Sequence, residues 1–155
     1  MGINSRVTGF TLVELVMVII LIGVLSALGI GLFTRSSAFS PLLATQQLQS
    51  ATLLAQQAAL AGNQANELKV TKGSKDFIFT VGPDTPYERK FQIGHNGTDL
   101  SVNGTDISVN GASFPISFNN LGRPNTSGNV EFTFSGDSTF TVCLSSLGAV
   151  YGGGC

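Results

Sequence analysis

The sequence predicts an α+β protein in which one long amino-terminal helix packs on an antiparallel β-sheet. Three observations predict it. From Phe10 to Phe33 the only charged side chain is Glu14. From Ala44 to Ala58 small and apolar residues recur at three- and four-residue steps, the stripe of an amphipathic helix. After Asn66 the pattern changes to period two and is punctuated by Asn-Gly pairs, the strongest short signal for a β-hairpin.

The first element is the apolar run "GFTLVELVMVIILIGVLSALG" and its continuation to Phe33. Phe10 to Phe33 make 24 residues, and about 20 helical residues cross a bilayer core. The expectation is a transmembrane helix over 10–34, preceded by the polar segment 1–9. A secretory signal peptide fits less well. Its apolar region is roughly 7 to 15 residues long and ends in small residues of the A-x-A type, whereas "LSALGIGLFTR" offers no such site. Orientation is weakly encoded, because Arg6 before the run is matched by Arg35 behind it. Glu14 is the exception inside the run: a carboxylate in hydrocarbon is costly, so one found there ordinarily has a partner.

The second half of the helix is "SSAFSPLLATQQLQSATLLAQQAALAGNQ". Ala44, Leu48, Ala51, Ala55 and Ala58 form its apolar stripe, and glutamine, serine and threonine fill the other faces. This predicts a helix over 40–64 that lies on a globular domain spanning 35–155, with Gly29, Gly31 and Pro41 as candidate kinks.

Strands are expected over 67–151. "KDFIFTV" and "RKFQIG" alternate as strands, with "GPDTP" as the loop between them. An internal repeat follows, "DLSVNGT" and "DISVNGA", and Asn-Gly pairs stand at 96–97, 103–104 and 110–111. Read as a meander of two-residue turns, the segment sets Ile93 opposite Leu100, Leu100 opposite Ile107, and Ile107 opposite Phe114. The same register puts Phe91, Val102, Val109, Ile116 and Phe118 on that apolar face and turns Ser101, Asp106, Ser108 and Ser117 away; a one-residue slip would invert the face. Pro115 implies an edge strand or a bulge. For "NVEFTFS" and "TFTVCLS" a three-residue loop of Gly136, Asp137 and Ser138 pairs Phe134 with Phe140, Phe132 with Val142 and Val130 with Leu144. Cys143 then lies on the opposite face, within reach of a tail that folds back.

Only 11% of residues are charged, and eight basic side chains against nine acidic give a net charge of −1. With no basic stripe, nucleic acid is not an expected partner. The lone histidine, His95, abuts an Asn-Gly turn without a serine or cysteine motif, so it reads as a turn residue rather than a catalytic base. Asp84, Asp99, Asp106 and Asp137 sit at turns without ligand spacing; no metal and no cofactor are expected, and the 83–89 loop is the weak candidate for calcium. The triplets beginning at Asn96, Asn103 and Asn125 match the glycosylation acceptor pattern, but turn chemistry explains them more simply. Cys143 and Cys155 form an even pair, which reads as a disulfide in an exported domain and as two free thiols in the cytosol.

The stretch from Gly9, "GFTLVELVMVIILIGVLSALG", resembles the amino terminus of type IV prepilins and type II secretion pseudopilins. The resemblance covers about residues 4–30. It implies a leader of residues 1–9, cleavage after Gly9 by a prepilin peptidase, N-methylation of Phe10, and an assembly role for Glu14. It also implies a pilin fold with a disulfide near the carboxyl end, here Cys143 with Cys155. The implied partners are other pilin subunits, an inner-membrane assembly platform and, before assembly, membrane lipid. The implied location is the inner membrane, with the domain in the periplasm, and then a surface pilus. "SFNNLGRPNTSGNVEFTF" is similar to the corresponding part of minor pilins and pseudopilins of the class that primes assembly, and together with "TVCLSSLGAVYGGGC" it suggests a minor pilin of a mannose-sensitive haemagglutinin type pilus. The expected function is therefore a non-enzymatic minor pilin that primes or decorates a filament. A major pilin or a secretion pseudopilin is the alternative within the family, and a membrane-anchored binding domain that never polymerises is the alternative outside it. One departure stands out: many pilins carry a proline midway along the first helix, where this chain has Gly29 and Gly31.

Overall fold

The computed structural model describes residues 10–33, 36–107 and 112–155. Two compact units divide the chain between Arg35 and Ser36. The first contains helix α1, Leu12–Phe33. Its backbone stays helical through Gly29 and Gly31.

The second unit opens with helix α2, Ser36–Leu60, rather than the expected 40–64. The end is set by a glycine cap. Gly62 takes a φ of 69°, its N–H donates to the Ala59 carbonyl at 3.0 Å, and the Asn63 N–H donates to the Ala58 carbonyl at 2.8 Å. That pair of bonds satisfies the last carbonyls and leaves no room for another turn. Ala44, Leu48, Ala51 and Ala55 are fully buried as the stripe predicts, but the fifth position is Ala59, while Ala58 is half-buried. On the 3.6-residue period Ala58 and Ala59 lie at equal angles on either side of the stripe, so spacing alone does not choose between them.

Among the described residues nine strands follow: β1 Glu67–Lys72, β2 Asp76–Val81, β3 Arg89–Gly94, β4 Asp99–Val102, β5 Thr105–Asp106, β6 Ser113–Ser117, β7 Val130–Ser135, β8 Thr139–Leu144 and β9 Val150–Gly152. They form two antiparallel sheets, β3-β2-β1-β6 and β5-β4-β7-β8-β9. The expected single meander is therefore wrong in its connectivity. Ile93 does not face Leu100: β3 pairs only with β2, whereas β4 pairs with β5 and with β7, where Leu100 meets Phe134. The middle hairpin is as expected, with Val102 opposite Thr105 and the Ile107 N–H donating to Leu100 at 2.9 Å. The third turn lies at 110–111, outside the described residues, as do Ser108 and Val109. β6 leaves the meander and pairs with β1, with Pro115 opposite Lys69 on an edge strand.

The physical reason lies at Asn96-Gly97. Both residues have positive φ, 43° and 81°, so the tight turn forms as its chemistry requires. Yet the His95 N–H still donates to the Lys75 carbonyl at 2.9 Å, while Asp99 onward pairs with β7. The turn carries the chain from one sheet to the other. Period two fixes which face is apolar, not which sheet receives it. Leu100, Val102, Ile107, Ile116 and Phe118 are all buried, and Phe91, Ile93 and Phe114 pack against them, so the predicted face is the core face in both sheets.

α2 and the inner faces of the two sheets share one core. Small residues on the helix let the strands approach, and phenylalanines fill the space between sheets. Phe77 meets Phe134 edge-on at 5.3 Å, and Phe114 meets Phe132 at 6.1 Å. Such pairs add about 0.5–1.5 kcal/mol each beyond the area they bury. The β7–β8 hairpin has the predicted register: Phe134 opposite Phe140, Phe132 opposite Val142 and Val130 opposite Leu144.

Candidate functional site

Helix α1 begins with a local device that the sequence reading overlooked. The Thr11 hydroxyl accepts the Glu14 N–H at 3.3 Å, and the Thr11 carbonyl accepts the Leu15 N–H at 3.2 Å. Thr11 is therefore the N-cap and Glu14 the third helical residue, the spacing of a capping box. Phe10 and Leu15 occupy the flanking positions where a hydrophobic staple forms. The signal was present as Thr-x-x-Glu ahead of an apolar run. Glu14 also sits where the helix dipole favours a negative charge.

From Phe10 to Leu25 the large apolar side chains of α1 are between 44 and 79% exposed. Nothing within unit 1 covers them among the described residues. Among the described residues no helix is long and apolar enough to cross a membrane; the side chains of α1 are described only as far as Ala27.

At the far end of the chain Cys143 and Cys155 form a disulfide across a sequence separation of 12. β8 positions Cys143 opposite Glu131 on one side and Tyr151 on the other. The tail turns back through Gly153, at a φ of 113°. Its last N–H, of Cys155, donates to the Glu131 carboxylate at 2.9 Å. Glu131 thus holds the residue that the disulfide anchors.

The remaining candidates are turn residues. His95 Nε2 lies 3.0 Å from the Ser74 carbonyl, and its Nδ1 lies 3.4 Å from the Gly97 N–H, so both ring nitrogens face backbone. In the 83–89 loop the Glu88 carboxylate accepts the Asp84 N–H at 3.1 Å and pairs with Lys90 at 2.8 Å. Lys90, then the Asp84 amide, hold the Glu88 carboxyl below the ordinary value of 4.5, and Glu88 raises Lys90 above 10.5. Of the loop's two acids, Asp84 and Glu88, the Glu88 carboxylate is thereby engaged from within the chain. Asn96 donates to the Ser40 hydroxyl at 3.1 Å and Asn103 accepts the Glu131 N–H at 2.8 Å, each tying a turn to a neighbouring element. Asp99 receives Lys72 Nζ at 2.6 Å, a link between the two sheets. A shallow depression of about 330 Å³ beside the end of α2 presents Tyr87 and Arg89 over Leu54 and Val81, with no nucleophile and base in contact.

A lone apolar helix opened by a threonine cap and glutamate, joined in sequence to an α+β domain with a carboxyl-terminal disulfide, defines a subunit of the pilin and pseudopilin class. Residues 4–30 match the prokaryotic N-terminal methylation motif. Residues 44–148, more than half of the chain, match the family described as type II transport protein GspH, and the chain belongs to that family. Both are families of structural subunits, not of enzymes. Among curated proteins and solved structures nothing matches significantly.

Proposed function

We propose that the protein is a minor pseudopilin, a low-copy subunit of the pilus-like filament of a type II secretion system. The observation that carries this reading is the family match over 44–148, joined in one chain to a methylation motif and the Thr11–Glu14 helix start. On this reading residues 1–9 are a leader, a prepilin peptidase cuts after Gly9 and methylates Phe10, and 10–34 holds the subunit in the inner membrane. The domain from 35 to 155 waits in the periplasm until the assembly platform adds it to other pilin subunits. The new amine on Phe10 and the carboxylate of Glu14 lie one helical turn apart in sequence. A neighbouring subunit's amine is a further partner for Glu14. At about 4 Å and an effective dielectric near 20 such a pair gains on the order of 4 kcal/mol before desolvation.

A minor pilin of a surface type IV pilus is the second reading, suggested by Ser117–Phe134 only when it is taken together with the carboxyl-terminal segment. Two measurements decide. Intact mass of the membrane-extracted protein should give a chain that starts at Phe10 with one added methyl group; an uncut amino terminus would sink both readings. Deletion should then stop secretion of exported proteins while leaving surface pili intact. The opposite pattern, lost pili with normal secretion, selects the minor pilin.

A further inference from the structure

Two turns of the globular domain share one design. In "NNLGR" the Asn119 N–H donates to the Arg123 carbonyl at 3.0 Å and the Gly122 N–H to the Asn119 carbonyl at 2.8 Å. In "SSLGA" the Ser145 N–H donates to the Ala149 carbonyl and the Gly148 N–H to the Ser145 carbonyl, both at 2.8 Å. The first side chain of each turn also caps it: Asn119 Oδ1 accepts the Leu121 N–H at 2.9 Å, and Ser145 Oγ accepts the Leu147 N–H at 3.2 Å. Each glycine has positive φ, 71° and 97°, as a type I turn followed by a left-handed residue requires.

One side chain clasps the two turns together. The amide of Gln56, itself buried, donates to the Gly122 carbonyl at 3.0 Å and to the Gly148 carbonyl at 2.6 Å. A Cβ placed on Gly148 would stand 2.6 Å from the Gly122 carbonyl oxygen, so the turns abut. The residue before each glycine is a leucine held out to solvent: Leu121 is 71% exposed and Leu147 70%. Leu60, at the end of α2, is 61% exposed and lies against Gly122. Isolated exposed leucines need no explanation, but three on a rigid, hydrogen-bonded base form a patch.

We propose that this patch docks the apolar amino-terminal helix of a neighbouring pilin-type subunit. The inference rests on the filament reading above and adds a surface of the globular domain to it. Three observations choose the occupant. On α2 itself Phe39, Leu43 and Leu53 are also exposed. Little charge lies nearby: α2 carries none, no charged residue follows Asp137, and the charge placed beside the end of α2 is the cation Arg89. The one charge in either turn is Arg123, exposed and without an ion pair among the described residues. A helix like α1, apolar on every side with a single acid near its start, matches such a surface in both polarity and sign of charge. Because the turns are already locked, little side-chain or loop ordering opposes docking.

The test is photo-cross-linking of the full-length protein in membranes of cells that assemble the filament. A benzophenone amino acid replaces Leu121, Leu147 or, as a control in α1, Val16, and each adduct is mapped by mass spectrometry. Adducts from 121 and 147 on the amino-terminal helix of a pilin-type subunit support the proposal. If Val16 traps such subunits while 121 and 147 trap none, or trap only lipid, the docking surface is wrong and the filament reading stands. If no position traps a pilin-type subunit, both fall. The double variant Leu121→Gln with Leu147→Gln should leave the thermal midpoint unchanged, since both side chains are exposed. It should reduce recovery in filaments about tenfold, as truncating central apolar contacts does. Undiminished recovery overturns the proposal.

Discussion

Replacing Gln56 by leucine isolates the clasp that joins the two turns. The substitution keeps an apolar stem of similar length within α2, so helix propensity changes little. What is lost is one amide that donates to two carbonyls, at 3.0 and 2.6 Å, in a site where Gln56 is only 7% exposed. An intramolecular hydrogen bond contributes about 0.5–1.5 kcal/mol net, and a buried acceptor left unpaired costs about 1–3 kcal/mol. Gly122 is also buried, so at least its carbonyl has poor access to water. A loss of about 2–4 kcal/mol is expected, which for a domain of this size lowers the midpoint by about 8–15 °C. Thermal unfolding of the purified protein in detergent, followed by circular dichroism, measures it. Hydrogen exchange should localise the change, with faster exchange at the Gly122 and Gly148 amides and little change in β1 and β2. A shift below about 1 kcal/mol, or protection lost evenly across both sheets, would refute the view that Gln56 acts by tying these turns.

Three further perturbations follow from the geometry. Cys155→Ser removes a cross-link over a separation of 12 residues and should cost about 3 kcal/mol in the chain-entropy account; thiol labelling of the native wild-type protein should find neither cysteine reactive, and ready labelling would contradict the bridge. Gly82→Ala should abolish accumulation of folded protein, because the new Cβ would lie 2.5 Å from the Ala65 Cβ at a φ of +61°; a soluble variant with wild-type melting would show that the close approach at this loop is misjudged. Acid should loosen the 82–90 loop selectively: the Glu88 value is depressed, so its contribution is present above 4.5 and fades as pH falls through the lower folded value. A nuclear magnetic resonance titration of the Asp84 amide follows that change, and an amide that stays constant down through the acid range would count against the Glu88 contact. Lys90 works in the other direction, its contribution being lost only as pH rises beyond 10.5, so the loop should hold across the neutral range.

The sequence revealed faces more reliably than neighbours. Alternation is a property of each strand by itself, so Leu100, Val102, Ile116 and Phe118 could be assigned to the core without knowing their partners. Pairing was legible where a short loop joined two apolar strands, as in β7 and β8, because one register alone matched Phe134, Phe132 and Val130 with apolar partners. It failed at Asn96-Gly97, where a tight turn reverses the chain between sheets and the hydrogen bonds of β4 go to β7, distant in sequence. β1 was not singled out because Lys69, Thr71 and Lys72 dilute its pattern, although Leu68 and Val70 are fully buried. Gln56 could not be read as a clasp, since α2 carries several glutamines and only the folded turns distinguish this one.

On the filament reading proposed above, Glu14 would meet a local and an intermolecular demand at once. At the third position of α1, behind the Thr11 cap, a carboxylate lies beside the unpaired amides of the first turn, where negative charge is favoured by about 0.3–1 kcal/mol at ordinary exposure. That is less than the cost of holding a charge in hydrocarbon, which even on insertion scales is about 2.5–3.5 kcal/mol for an acid at a helix centre. One fact narrows the gap: Glu14 stands at the start of the helix and not in its middle. If the helix is held in a membrane as proposed, capping would make the acid tolerable there without satisfying it. On that proposal the residual cost would give a neighbouring amine its leverage, because the same pair would gain less if Glu14 were already neutralised within its own chain. A residue that is bearable alone and better in company would suit a subunit that, as proposed, waits in one environment and functions in another.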